Sequence, residues 1–324
     1  MRAFVTGATG FIGGYVARAL RERGDDVVAL VRTPPKAKEL EALGCRLIPG
    51  SLDAIGSIED GVRGADAVFH AAAIYKAGIP RKARPEMYEA NVTGTERVLD
   101  VAIAAGVPRI VHVSTVNVFG NTKRKVVDET YVRDPRDGFL SYYDETKFLS
   151  HQIALDRIAQ GARVVIAQPG GVYGRRDPSD LGNAIRQIAS GRLKFKAFPD
   201  TGFVFLHVED AADGILRVHD KGGVGDSYVL GGERSTLGAF IDLVARLAGR
   251  KPPRVTVPAP LVKAGIPFGR LIGKAMGTGP NLRELIRAAD GVTYWASDGR
   301  ARRELGYAPR DLETGVRQTL AAGA

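Results

Sequence analysis

The sequence predicts an α/β fold: a doubly wound parallel sheet with a smaller, mostly helical C-terminal region. Two observations predict it. Short apolar runs rich in β-branched residues alternate with helical patterns over the first half of the 324-residue chain. Each run is apolar throughout rather than at every second residue, which fits strands buried on both faces. Strand–helix alternation supplies the crossovers that parallel neighbours need.

The first run, AFVT at 3–6, starts almost at once and passes through a glycine-rich turn into a helix over 11–22. VVALV (27–31) and RLIP (46–49) read as the next strands, with a helix near 36–42 between them. AVFHAAA (67–73), RIVHVS (109–114) and RVVIAQ (163–168) continue the pattern, joined by helices over 84–105 and 142–160. Beyond residue 170 the alternation loosens. A helix over 179–190 precedes FVFLHVEDAADGILRVH, a strand that turns into a helix; SYVL and a helix over 235–248 follow. Four prolines in 251–260 mark a linker, and 261–289 reads as helix with glycine breaks.

Composition narrows the class. Hydrophobic residues make up 44% of the chain, enough for a substantial core. The single cysteine, Cys45, has no partner within the chain and falls in a strand pattern, as a small core residue would. No charged segment precedes a short apolar run at the N-terminus, and no apolar stretch approaches the ~20 residues that span a bilayer. The expected location is cytoplasmic, with no transmembrane segment. PLVKAGIPFGRLIGKAM (260–276) is apolar but carries Lys263, Arg270 and Lys274, so it reads as a lid or core helix before a membrane-surface one. The net charge of +10 raises nucleic acid as a partner. The basic residues are scattered and not interleaved with aromatics, which excludes it here. A homodimer is compatible with the chain.

The glycine turn carries the first chemical signal. Gly7, Gly10 and Gly13 follow a strand and open a helix, the context that makes a glycine motif a nucleotide-binding one. Glycine lets the backbone turn sharply and approach a pyrophosphate with no Cβ in the way. The free N–H groups of a helix N-terminus, here Phe11, Ile12 and Gly13, then face phosphate. The spacing is GxxGxxG, with Thr9 where the standard GxGxxG fingerprint has its second glycine. The region 1–168 is therefore expected to be a dinucleotide-binding Rossmann domain. Residues 169–324 are then mainly substrate-binding, with about 203–248 returning to the first domain. The second strand ends in Arg32, and Asp25 and Asp26 stand at its wrong end. An arginine there favours the 2′-phosphate of NADP over the ribose hydroxyl of NAD; Lys36 and Lys38 are candidate helpers.

SYYDETKFL supplies the second signal. Tyr143 and Lys147 stand i and i+4 on a helix, hence on one face. A free tyrosine titrates near ~10. A neighbouring ammonium lowers that value toward the range of a useful acid or base. Tyr142 has Thr146 as its i+4 partner, which carries no charge. Ser114 and Thr115 follow the strand RIVHV, where a doubly wound sheet presents residues to ligand. The five histidines, at 70, 112, 151, 207 and 219, show no metal-ligand spacing, and no metal is expected. His70 and His112 read as core residues, Asp210 as a cap or structural acid, and Trp295 as packing.

These pieces together resemble the extended short-chain dehydrogenase/reductase family along nearly the whole chain. The matching segments are TGATGFIGG, VFHAAA, NVTGTERVLDVA, VHVSTVNVFG, YYDETK, QPGGVYG and FLHVEDAADGI. The resemblance implies that Tyr143 is the general acid/base, that Lys147 tunes it and holds the nicotinamide ribose, and that Thr115, with Ser114 beside it, is the catalytic hydroxyl. Asn91 would lie near the cofactor. Ala71, Ala72 and Ala73, and Pro169, Gly171 and Val172, would line the same cofactor. Ser51 stands where many members have an aspartate reading adenine, so that contact falls to Ser51 and Leu52, with Asp53 as a substitute. Gly171 stands where nucleotide-sugar members commonly have asparagine, and Arg175 where many relatives have proline. VRTPPK and PGGVYG look more like the dihydroflavonol reductase and hydroxysteroid dehydrogenase branches.

The expected activity is an NADP-dependent oxidoreductase acting on a carbonyl or secondary alcohol of a small organic substrate. Two other classes compete. One is a sugar epimerase or dehydratase that retains NAD and only borrows the hydride. The other is a non-catalytic cofactor sensor, against which the intact Tyr143–Lys147 pair speaks. The substrate surface is expected from 75–90, 170–205 and 260–290.

Overall fold

The computed structural model describes residues 1–276 and 279–323, without the side chains of 272 and 274–276. Lys274, noted above, therefore has its side chain outside the described residues. Seven strands form one parallel sheet in the order Ser227–Leu230, Val164–Pro169, Ile110–Val113, Ala67–His70, Arg2–Thr6, Asp26–Val31, Arg46–Pro49. The chain builds outward from Arg2–Thr6 on one side and then crosses back to Ala67–His70 on the other. That reversal opens a crevice beyond the carboxyl ends of these two strands, where ligands bind in open α/β sheets.

The uniformly apolar runs explain the layers. Along Asp26–Val31, Val27, Ala29 and Val31 face one core, and Val28 and Leu30 face the other. The first core packs helices Phe11–Glu22 and Val208–Lys221 through Val16, Leu20 and Ile215. The second packs Ile55–Val62, Gly94–Ala104 and Tyr142–Ala159 through Ile58, Leu99 and Ala154. Each large aliphatic side chain so buried contributes about 1.5–3 kcal/mol. Cys45, His70 and His112 are all buried in these layers.

The rest of the chain packs over the carboxyl ends. Strands Glu233–Thr236, Gly202–His207 and Gly171–Tyr173 form a three-stranded sheet. Helices Asp180–Ala189, Leu237–Leu247 and Leu312–Ala321 enclose a separate core with it, in which the Phe205 and Phe240 rings stack at 4.4 Å. Asp210 is a structural acid, ion-paired with Arg310 at 2.9 Å.

Several elements differ from the sequence expectation. The fourth run ends as strand at His70, and Ala71–Ala73 leave the sheet as a loop. Helix Ile55–Val62 was not expected. The helix over 84–105 is three pieces, Arg84–Tyr88, a π turn at Glu89–Thr93, and Gly94–Ala104. The proline-rich 251–260 is not only linker: Val255–Val257 pairs in parallel with Phe195–Ala197, and helix Ala259–Ala264 starts within it. Proline flanks that strand instead of interrupting it, so the ladder loses no donor.

Candidate active site

The glycine turn passes directly beneath the loop that leaves Ala67–His70. Gly7 has φ +77°, and a Cβ on it would lie 2.6 Å from the Ala72 nitrogen. A Cβ on Gly13 would collide with the Gly7 carbonyl oxygen. Only glycine satisfies both positions. The Gly10 N–H donates to Gly7 O at 2.8 Å and closes the turn. Helix Phe11–Glu22 then begins with no side-chain cap and no acidic residue in its first turn. Its N-terminal N–H groups are therefore left for an anion, with the helix dipole favouring negative charge. A dinucleotide pyrophosphate suits this cradle in both shape and sign.

The cradle is one end of a cleft of about 1080 Å³. Gly7, Thr9, Gly10, Phe11, Ile12 and Gly13 line that end. Arg32, Ser51 and Leu52 line it nearby, joined by Asp53, whose carboxylate accepts from the Ser51 hydroxyl. Ala71, Ala72 and Ala73 form one wall, and Pro169, Gly171 and Val172 another. Ser114, Thr115, Tyr143 and Lys147 line the same cleft. Lys36 and Lys38 are exposed and do not line it. Segments from 75–90, 170–205 and 260–290 all reach the remaining wall, as do Leu237, Ile241, Val257 and Tyr294, which the sequence reading did not name.

Asn91 is buried and is absent from the cleft wall. Its Oδ1 accepts from the Ile74 N–H at 2.6 Å; its Nδ2 donates to Ile74 O and Thr146 Oγ1, both at 3.0 Å. It is a strut that ties the loop after His70 to the helix of Tyr143. The π turn carries it, and π turns recur at functional sites.

Helix Tyr142–Ala159 begins at Ser141, whose hydroxyl accepts from the Asp144 N–H at 3.1 Å. That cap sets Tyr143 in the first turn and Lys147 one turn on. Lys147 is buried, and its Nζ donates to the Val113 carbonyl at 2.9 Å, which anchors it to the end of strand Ile110–Val113. Burial lowers its pKa to about 8. Thr115 caps the turn Val116–Phe119, accepting from the Asn117 N–H at 3.2 Å. Ser114 Oγ lies 3.0 Å from His151 Nδ1. His151, held near 4 by burial, is neutral at ordinary pH. His70 sits between Thr6 Oγ1 at 2.7 Å and Thr95 Oγ1 at 2.9 Å, neutral and structural.

Tyr143 corrects the sequence reading in one respect. Its phenol is pushed above the ordinary tyrosine value, not below it, by burial first and then by Tyr75 and Asp144. Removal from water disfavours phenolate, and the Lys147 ammonium, turned to Val113 O, does not offset it. Tyr75 is the residue that sequence reasoning missed. Its ring stands edge-on to Tyr143 with centroids 4.7 Å apart. The signal was available: Tyr75 is the first aromatic side chain after the alanines that follow the strand. Asp144, buried and raised to about 6, accepts from Asn117 Nδ2 at 3.0 Å and was also not named.

Comparison with known proteins decides the family. A profile described as the NAD dependent epimerase/dehydratase family matches residues 3–231. The chain belongs to that family. Within it, the chain is of the extended short-chain dehydrogenase/reductase kind and is an NAD(P)-dependent enzyme. It is 32% identical over 315 residues to the 4-hydroxy-2-methyl-3-oxo-4-farnesyl-3,4-dihydroquinoline-1-oxide ketoreductase of Stigmatella aurantiaca, covering 96% of this chain and 92% of that one. It is 28% identical to short-chain dehydrogenase/reductase family 42E member 1 of Danio rerio, over 98% of this chain and 88% of the other. Among solved structures, the protein gox2253 superposes with a TM-score of 0.85 at 31% identity, covering 99% of this chain and 97% of that one. Among the described residues no helix is long and apolar enough to cross a membrane.

Proposed function

We propose that this enzyme is an NADP-dependent oxidoreductase that moves a hydride between nicotinamide and the carbonyl or secondary alcohol of a small organic substrate. One observation carries the reading: Tyr143, Lys147 and Thr115 line one cleft together with an anion cradle and Arg32. The glycine turn and the first turn of helix Phe11–Glu22 would hold the pyrophosphate. Arg32 would pair with the 2′-phosphate, a charge-assisted contact that NAD does not offer. Ser51, Leu52, Ala71–Ala73, Pro169, Gly171 and Val172 would line the remainder. The name of the Stigmatella relative, a ketoreductase, favours the same class.

The bound nicotinamide supplies the hydride in reduction and accepts it in oxidation. The chain's own residues handle the proton and the geometry. In reduction the carbonyl carbon gains the hydride, the C=O π pair moves to oxygen, and that oxygen takes the proton from Tyr143 Oη. Burial keeps the phenol protonated, so the free enzyme starts in the form that reduction needs. Lys147, one turn away, is held by Val113 O and would reach the nicotinamide ribose. Thr115, and Ser114 beside it, offer hydroxyls to the substrate oxygen. Oxidation reverses each transfer.

Titrating NADPH and NADH into wild type and Arg32→Ala tests the cofactor assignment. NADPH should bind wild type more tightly, and the variant should lose roughly tenfold or more for NADPH and little for NADH, given about 1.5–3 kcal/mol for a hydrogen bond to a charged group. Equal affinity of wild type for both cofactors contradicts it.

A further inference from the structure

We infer that the substrate half of the cleft takes an uncharged, predominantly apolar ketone or secondary alcohol, not a phosphorylated or nucleotide-linked one. The inference rests on the hydride-transfer reading above and names the substrate class of the same site.

Four separate elements supply its wall with apolar side chains. Leu181 and Ala184 come from helix Asp180–Ala189, and Phe195 from the strand Phe195–Ala197. Ile241 comes from Leu237–Leu247, and Leu285 from Leu282–Ala289. Leu261, 64% exposed, carries the apolar lining out to the mouth.

Charge is the sharper observation. The chain has 46 lysines and arginines, yet among the described residues only Arg32 and Lys147 line the cleft. Arg32 ends the strand Asp26–Val31 at the cofactor end, and Lys147 is committed to Val113 O. The charged side chains that line the cleft from 170 onward are Asp177 and Asp180, both acidic. Helix Asp180–Ala189 opens there, but its N-terminus offers nothing to an anion. Ser179 accepts from the Leu181 N–H at 3.2 Å, and Asp180 stands in the first turn. A diphosphate placed there meets the two carboxylates first; Lys76 and Arg186, the cations that act on Asp180 and Asp177, do not line the cleft. An apolar body of the size of fused rings or a branched chain instead buries its surface against these residues.

The test uses the NADPH-loaded enzyme and the uncharged fluorophore Nile red. Nile red should bind saturably, be displaced by trans-1-decalone, and be unaffected by UDP-glucose. Ala184→Lys and Leu285→Lys, on two different helices, should each weaken Nile red by roughly tenfold or more, because each puts a charge in the apolar wall. Displacement by UDP-glucose overturns the inference. So does the lack of a saturable Nile red site, or unchanged affinity in both variants. NADPH titrated into the same proteins before loading reads the cofactor assignment separately: unchanged NADPH affinity shows that the variants are folded. A wild type that binds Nile red but not NADPH keeps the substrate class and loses the hydride-transfer reading.

Discussion

Tyr143 and Lys147 are each pushed toward their neutral forms by the same burial. For Tyr143 this suits proton donation. Tyr143→Phe removes only the hydroxyl, so NADPH affinity should persist while ketone reduction falls by about 10²–10⁴-fold, the range of a general acid. Lost NADPH affinity in that variant contradicts the assignment. For Lys147 burial has a consequence for stability. Its folded pKa, about 8, lies below the ordinary 10.5. Between those values the unfolded chain binds the extra proton more tightly, so stability rises with pH in that window. Below about 8 the cost of the buried ammonium is present in full. Urea unfolding of wild type and Lys147→Met should therefore show the balance shifting toward wild type from pH 7 to 10. A gap that does not move with pH contradicts a buried ammonium. Neither shift was legible in the sequence. The i, i+4 spacing showed that the two side chains share a face, but not that Lys147 Nζ turns to Val113 O.

At the scale of elements, the strands were the most legible, because each is apolar along its whole length and buried on both faces. Helix Ile55–Val62 was not, since eight residues with two glycines give little periodicity. The π turn at Glu89–Thr93 was invisible because it differs from α-helix by one residue in hydrogen-bond pairing. That turn explains why Asn91, read as a cofactor contact, stands behind the wall and braces Ile74. Asn91→Ala removes three hydrogen bonds and leaves the part-buried Ile74 backbone groups without these partners. It should cost about 1–3 kcal/mol by chemical denaturation, and a loss well under that range contradicts the bracing role. The glycine turn divides differently. Gly10 is exposed, and a Cβ there would approach only Gly7 O, at 3.0 Å. Gly10→Val should therefore abolish NADPH binding while the protein stays folded. Gly13→Val meets backbone and should lower thermal stability as well. Retained NADPH affinity in folded Gly10→Val contradicts the pyrophosphate assignment.

Across the whole molecule, sheet order and cleft follow from one reversal, between Arg2–Thr6 and Ala67–His70. The sequence located that crevice through its glycines and the residues after each strand. It did not resolve the substrate wall, because Leu237, Ile241, Val257 and Tyr294 reach it only through packing of distant segments. The basic surface and the acidic-to-apolar substrate wall are likewise separable only in three dimensions. The central claim is hydride transfer from a nicotinamide to a carbonyl carbon. The most direct measurement is to incubate the enzyme with NADPH fully deuterated at C4 and a panel of bicyclic ketones, and to analyse the products by mass spectrometry. The account predicts an alcohol carrying one deuterium on the carbinol carbon, matched by loss of NADPH and absent with Tyr143→Phe. An enzyme that binds NADPH yet forms no labelled alcohol from any ketone of the panel contradicts it.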